Sequence, residues 1–143
     1  MRALRRWRAA RACSGHEPAL TTGHGKPPVR GAEAEELACR HLQKEGLLLV
    51  ERNYRCQRGE IDLIMRDGAS MVFVEVRYRR SVRFGSGAES IDRRKQAKLA
   101  AAALHYLQSH RNAAKCPARF DVVSIAPDVS GSRIDWIKNA FEA

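Results

Sequence analysis

The chain has 143 residues, 44% of them hydrophobic, enough for one core of ordinary size and too few for two. Its 26 Lys and Arg against 16 Asp and Glu leave a formal charge of +10, which favours an anionic partner and puts nucleic acid ahead of an acidic membrane surface. No run reaches the apolar length of a membrane-spanning helix, so membrane residence by that route is excluded.

The charge is uneven. Residues 1–30 hold seven basic side chains and one acidic one, mixed with "SGHEPALTTGHGKPP". Residues 1–29 therefore read as a basic flexible arm, and residues 30–143 as the folded domain. The arginine-rich start lacks the apolar segment of a secretory signal. The four cysteines, at 13, 39, 56 and 116, form no C-x-x-C pair, which fits reduced thiols in a cytoplasm better than a zinc site.

"AEAEELACRHLQKE", 32–45, carries Ala34, Leu37, Ala38 and Leu42 at helical spacing, and Gly46 is placed to stop the helix. Glu35 falls on the edge of that apolar stripe, where its carboxylate either joins a site or reaches past the edge into water. Three strands are expected at 47–55, 60–66 and 71–79, the last two joined as a hairpin through "RDGAS". "SVRFGSG" reads as a loop. "IDRRKQAKLAAAALHYLQSH", 91–110, is the strongest helix, with Asp92 as its cap and Leu99, Ala100, Ala103, Leu104 and Leu107 as its expected buried face. On that phase Gln96 points inward, while Arg93, Arg94 and Lys98 face solvent. Strands at 118–126 and 133–138 complete the order helix, three strands, helix, two strands.

Strand alternation puts Ile61, Leu63 and Met65 on one face and Asp62 on the other. In the next strand Glu75 and Arg77 oppose Val72, Val74 and Val76. A hairpin loop of two or four residues then places Asp62, Glu75 and Arg77 on a shared face. Two facing carboxylates repel unless an arginine or a bound cation lies between them. Mg²⁺ takes one or two protein carboxylates and keeps positions for water and a substrate phosphate, the requirement of phosphodiester hydrolysis. A hairpin with one wet face would show the same alternation of charge. Glu35 and Gln96 argue against coincidence if both helices pack over the acids.

The set D-x(12)-E-x-R, here Asp62, Glu75 and Arg77, resembles the PD-(D/E)xK nuclease superfamily. More closely, "GEIDLIMRDG", "VFVEVRYRRS", "FG", "KQ" and "RFDVV" resemble the bacterial YraN family of nuclease-like proteins, over about Gly31 to Ala143. The resemblance implies an α/β fold with a restriction-endonuclease-like core, a central mixed sheet flanked by helices in the order α-β-β-β-α-β-β. It implies Mg²⁺ or Mn²⁺ held by Asp62 and Glu75, with Glu35, Arg77 and Gln96 completing a catalytic set. Arg77 stands where the superfamily has lysine, and an arginine can hold phosphate but cannot shuttle a proton.

Arg79, Arg80 and Arg83 follow the second site strand, and Arg93, Arg94, Lys95 and Lys98 open the next helix. Beside a metal-binding pair, such a cluster would hold a phosphate backbone without reading its sequence. The expectation is a metal-dependent endonuclease acting on DNA before RNA, with branched or junction DNA among its substrates. The alternative is a nucleic-acid-binding or assembly module that keeps the fold without catalysis.

Overall fold

The structure, a computed structural model, describes residues 31–79, 91–129 and 131–142. Helix α1 (Gly31–Lys44) leads into β1 (Leu48–Cys56), β2 (Gly59–Asp67) and β3 (Ser70–Tyr78). Helix α2 (Arg93–Ser109) and the single turn α3 (Arg111–Ala114) precede β4 (Ala118–Asp128) and β5 (Gly131–Phe141). The separate turn α3 is an addition to the expected order.

The five strands form one mixed sheet in chain order. Its pairs are antiparallel except β3 with β4, which run parallel, as a helical crossover between two strands requires. Two cores result, one on each side of the sheet. Ala34, Ala38, Cys39 and Leu42 of α1 pack on Leu63, Met65, Val72, Val74, Val123 and Ile125. Leu99, Ala102, Ala103 and Tyr106 of α2 pack on Ile64, Met71, Phe73 and Phe120. Neighbouring residues of β3 thus serve opposite cores, which is the period of two that its sequence announces. Most of these side chains are fully buried, and truncating one such as Leu63 to alanine costs roughly 2–5 kcal/mol.

Local chemistry sets the ends of the elements. Gly46, at φ 98°, lets the chain leave α1 with Leu47 N–H on Leu42 O at 3.0 Å and Gly46 N–H on Gln43 O at 3.1 Å, a Schellman closure. Leu47 and Leu42 share the α1 core, the apolar contact that accompanies this closure. The β2–β3 hairpin closes at Asp67 opposite Ser70, with Gly68 at φ 57° opening a two-residue loop. Asp92 caps α2 by accepting the Lys95 N–H at 2.8 Å.

Two expectations about side-chain direction are corrected. The buried stripe of α2 is Leu99, Ala102, Ala103 and Tyr106, whereas Leu104 is 50% exposed and Ala100 and Leu107 only line the edge. The helix is rotated because Tyr106 offers more area than either leucine can, meeting Tyr54 and Phe73 edge-on at 5.2 and 6.0 Å. On β2, Ile61 does not share a core with Leu63 and Met65 but joins the α2 side. The strand turns over between them, at Asp62.

Candidate metal and phosphate site

The β2–β3 ladder runs from Asp67 opposite Ser70 to Leu63 opposite Val74 and stops there. Asp62 and Glu75 are the next pair. With the strands parting, the Val76 N–H has lost its strand partner, and Asp62 Oδ2 accepts it at 2.8 Å. The aspartate thereby closes the fork in the sheet and is fixed in place by it.

Glu75 is 6% exposed and lies within hydrogen-bonding reach of the Asp62 carboxyl. The acids therefore meet on one side, as parity predicts. Burial, and then the charge of Asp62, push the Glu75 carboxyl up to about 7. Burial likewise raises Asp62, while the Val76 N–H works in the opposite direction. Glu75 Oε2 is buried with no hydrogen-bond donor. Only a shared proton or a cation can satisfy two such oxygens at this spot.

Lys95 supplies one cation. Its Nζ lies 3.4 Å from Glu75 Oε1, with the side chain 32% exposed. Lys95, expected as one of the backbone-binding residues of the basic cluster, thus also reaches the acid pair. The cap at Asp92 fixes the helical phase so that Lys95 precedes Leu99, Ala102 and Tyr106 by four, seven and eleven residues, on the buried stripe. That phase is available from the sequence once Tyr106, rather than Leu107, is the inward residue.

Glu35 of α1 is drawn into the same field. Partial burial raises its carboxyl, the charge of Asp62 adds to this, and a hydrogen bond from Asn53 on β1 lowers it. Gln96 is half-buried, and its amide nitrogen donates to Ile91 O at 3.0 Å. Its amide oxygen is therefore the atom left to meet a ligand. Arg77 is half-buried, two residues beyond Glu75 and opposite Ser124 of β4. Arg79 is half-buried, its N–H bound to Ile125 O at 2.7 Å. Arg93, Arg94 and Lys98 are exposed. Arg80 and Arg83 lie outside the described residues.

Among the described residues, no three His, Cys, Asp or Glu side chains stand together as a metal-binding group. Asp62 and Glu75 nevertheless suit one divalent ion: they are adjacent, both are raised by burial, and Glu75 offers an unpartnered oxygen. Mg²⁺ with two carboxylates completes its shell with water. The cysteines do not compete for it, since Cys39 belongs to the α1 core while Cys56 and Cys116 line the other.

A second polar cluster lies deeper in the fold, built on the Arg119 and Asp121 of the "RFDVV" motif, to which the sequence assigns no role. Asp121, 1% exposed, accepts from Arg119 Nε at 2.9 Å, from Trp136 Nε1 at 3.0 Å and from the Asn139 N–H at 2.9 Å. Arg119 also reaches Asp67 at 2.9 Å. Every partner is satisfied, so the cluster ties β4, β5 and the end of β2 together and presents nothing to a ligand. No helix among the described residues is long and apolar enough to cross a membrane.

Residues 34–125 match the model of "Uncharacterised protein family UPF0102". A UPF0102 protein of Nitrosococcus oceani is 54% identical over 112 residues, covering 78% of this chain and 90% of its own. One from Stutzerimonas stutzeri is 52% identical over 113 residues, covering 79% and 94%. One from Methylococcus capsulatus is 47% identical over 116 residues, covering 81% and 93%. Spanning nearly the whole of these relatives and matched by the family model over most of its own length, the chain belongs to the UPF0102 family, the YraN family of its sequence resemblance.

Proposed function

We propose that the protein is a metal-dependent endonuclease that hydrolyses phosphodiester bonds in DNA, with a restriction-endonuclease-like core and Asp62 and Glu75 as ligands of Mg²⁺ or Mn²⁺. The observation that carries this reading is the buried Glu75 oxygen without a donor, set against the Asp62 carboxyl where the hairpin forks. An ion there would activate water and offset charge at phosphorus. The chain's own residues do the rest. The Val76 N–H holds Asp62 in orientation, and the Lys95 ammonium offsets the negative charge of Glu75. Arg77, two residues beyond Glu75, would hold a phosphate oxygen, and the exposed Arg93, Arg94 and Lys98 would meet the backbone.

The Lys95–Glu75 ion pair favours a second reading, in which Lys95 serves in place of a metal and the protein binds nucleic acid without cutting it. Incubating the pure protein with linear, flapped and four-way DNA, with and without Mn²⁺, separates the two. Metal-dependent cleavage that falls at least ~100-fold in both Asp62→Asn and Glu75→Gln supports the nuclease. Binding that needs no metal, accompanied by no cleavage of any substrate, supports the binding module.

A further inference from the structure

At one end the sheet divides. The β2–β3 ladder stops at Leu63 opposite Val74, whereas β1 and β2 stay paired as far as Cys56 opposite Gly59, and β3 and β4 as far as Tyr78 opposite Ile125. Two prongs result. One is the β1–β2 hairpin, tipped by the turn residues Gln57 and Arg58, and the other is the end of β3 on β4, which carries Arg77. Asp62 and Glu75 sit where the prongs part, and the bond from the Val76 N–H to Asp62 Oδ2 closes the angle between them.

The first prong is held against α2. Gly59 lies so near that helix that a Cβ on it would stand 3.0 Å from Lys98 O and 3.5 Å from Lys98 Cβ. Glycine, having no Cβ, allows the approach. Lys98 is about one helical turn beyond Lys95, whose ammonium meets Glu75. Helix α2 therefore runs from the acid pair to the tip of the hairpin, and it brings exposed Lys98 next to exposed Arg58.

The cations at this end differ in their engagement. Arg55 and Glu60, partners across β1 and β2, meet at 3.4 Å, so the acid nearest the turn is already in use. Among the described residues no acid pairs with Arg58, Arg94 or Lys98. Like charges gathered on neighbouring elements repel one another, a cost that a polyanion removes.

We propose that Arg58 is a nucleic-acid-binding residue, and that a phosphate backbone crosses the fork from Lys98 and Arg58, over the acid pair, to Arg77. This rests on the nucleic-acid reading above, with or without cleavage. Arg58 stands four residues from Asp62 along the hairpin, about 13 Å of strand, so it meets the chain several nucleotides away from the acids.

Fluorescence anisotropy of labelled duplex DNA with the whole chain, over a salt series without metal, tests this. Arg58→Ala should melt with the parent and lower the steepness of log K against log salt by about 0.9, whereas Arg58→Lys should keep the parental slope. Arg111 provides the control, since it is exposed beyond the far end of α2, with roughly 16 Å of helix between Lys98 and Ser109. Arg111→Ala removes the same charge and should leave the slope unchanged. Glu75→Gln should bind several-fold more tightly, because a backbone crossing the fork without metal meets the charge of the acids. A parental slope in Arg58→Ala, an equal fall in Arg111→Ala, or parental affinity in Glu75→Gln overturns the path across the fork, and metal-dependent cleavage by the same protein would leave the nuclease reading standing. The expected slopes and affinity in a protein that cuts no DNA with Mn²⁺ uphold the path and overturn the nuclease. A parent that binds no DNA overturns both.

Discussion

Lys95 Nζ lies 3.4 Å from Glu75 Oε1, so a cation from the first turn of α2 reaches the buried acid of β3. An ammonium can compete with a divalent ion for a carboxylate and can also offset charge on a bound phosphate. Lys95→Met separates these effects. Mn²⁺ should bind at least as tightly as in the parent, because a competitor has gone, while cleavage should fall by about 100-fold. Weaker Mn²⁺ binding in this variant would mean that Lys95 supports the metal site only by holding its shape.

Glu75 makes the site costly at neutral pH. Its carboxyl is raised from 4.5 to about 7, so the folded protein retains a proton that the unfolded chain has already released. Stability is then greatest below pH 4.5, as far as this group decides it, and is lost as pH rises through 7. The difference corresponds to about 3 kcal/mol. Glu75→Gln removes the titration. In urea unfolding without metal, the variant should be the more stable protein at about pH 8 and equal to the parent near about pH 4. Parallel curves across that range would show that Glu75 ionises normally.

Much of this arrangement was legible in the sequence, because the period of two in β2 and β3 states which residues share a face. Asp62 and Glu75 meet as that period requires, and Asp92 caps α2 as its position suggested. What the pattern hides depends on two departures from regularity. Ranking leucines above tyrosine sets α2 in the wrong phase, which conceals Lys95 on the buried stripe. The left-handed turn at Asn53 breaks strand parity, so Ile61 lands in the opposite core from Leu63. Asp121 looks like an ordinary polar residue in an apolar strand. Two of its three donors come from β5, and no local pattern announces them.

Asp121 yields a prediction about stability alone. It is buried, and Arg119, Trp136 and Asn139 all donate to it. Asp121→Ala would leave Arg119 with Asp67 as its remaining acidic partner and strand the Trp136 and Asn139 donors without an acceptor. Losing one side of a buried charged network costs about 3–5 kcal/mol. The urea midpoint should fall accordingly, while cleavage per folded molecule at low temperature should remain within about twofold of the parent, since the cluster faces no ligand. A selective loss of cleavage with an unchanged midpoint would place Asp121 in the functional site.

Arg93, Arg94 and Lys98 are exposed on α2, whose Lys95 reaches the acid pair, so on the proposed reading a backbone drawn to these charges would pass beside Glu75. Phosphate binding of this kind reveals itself through salt. Removing one phosphate-bound cation should lower the steepness of log K against log salt by about 0.9 on duplex DNA. The triple alanine variant should therefore lose up to about three units of slope and bind all sequences more weakly to the same degree. Cleavage at saturating DNA should be unchanged, because these side chains position the substrate and do not touch the acid pair. Lys95→Met should leave the slope nearly intact, since its ammonium is engaged with Glu75. A parental slope in the triple variant would move the backbone path off α2 altogether.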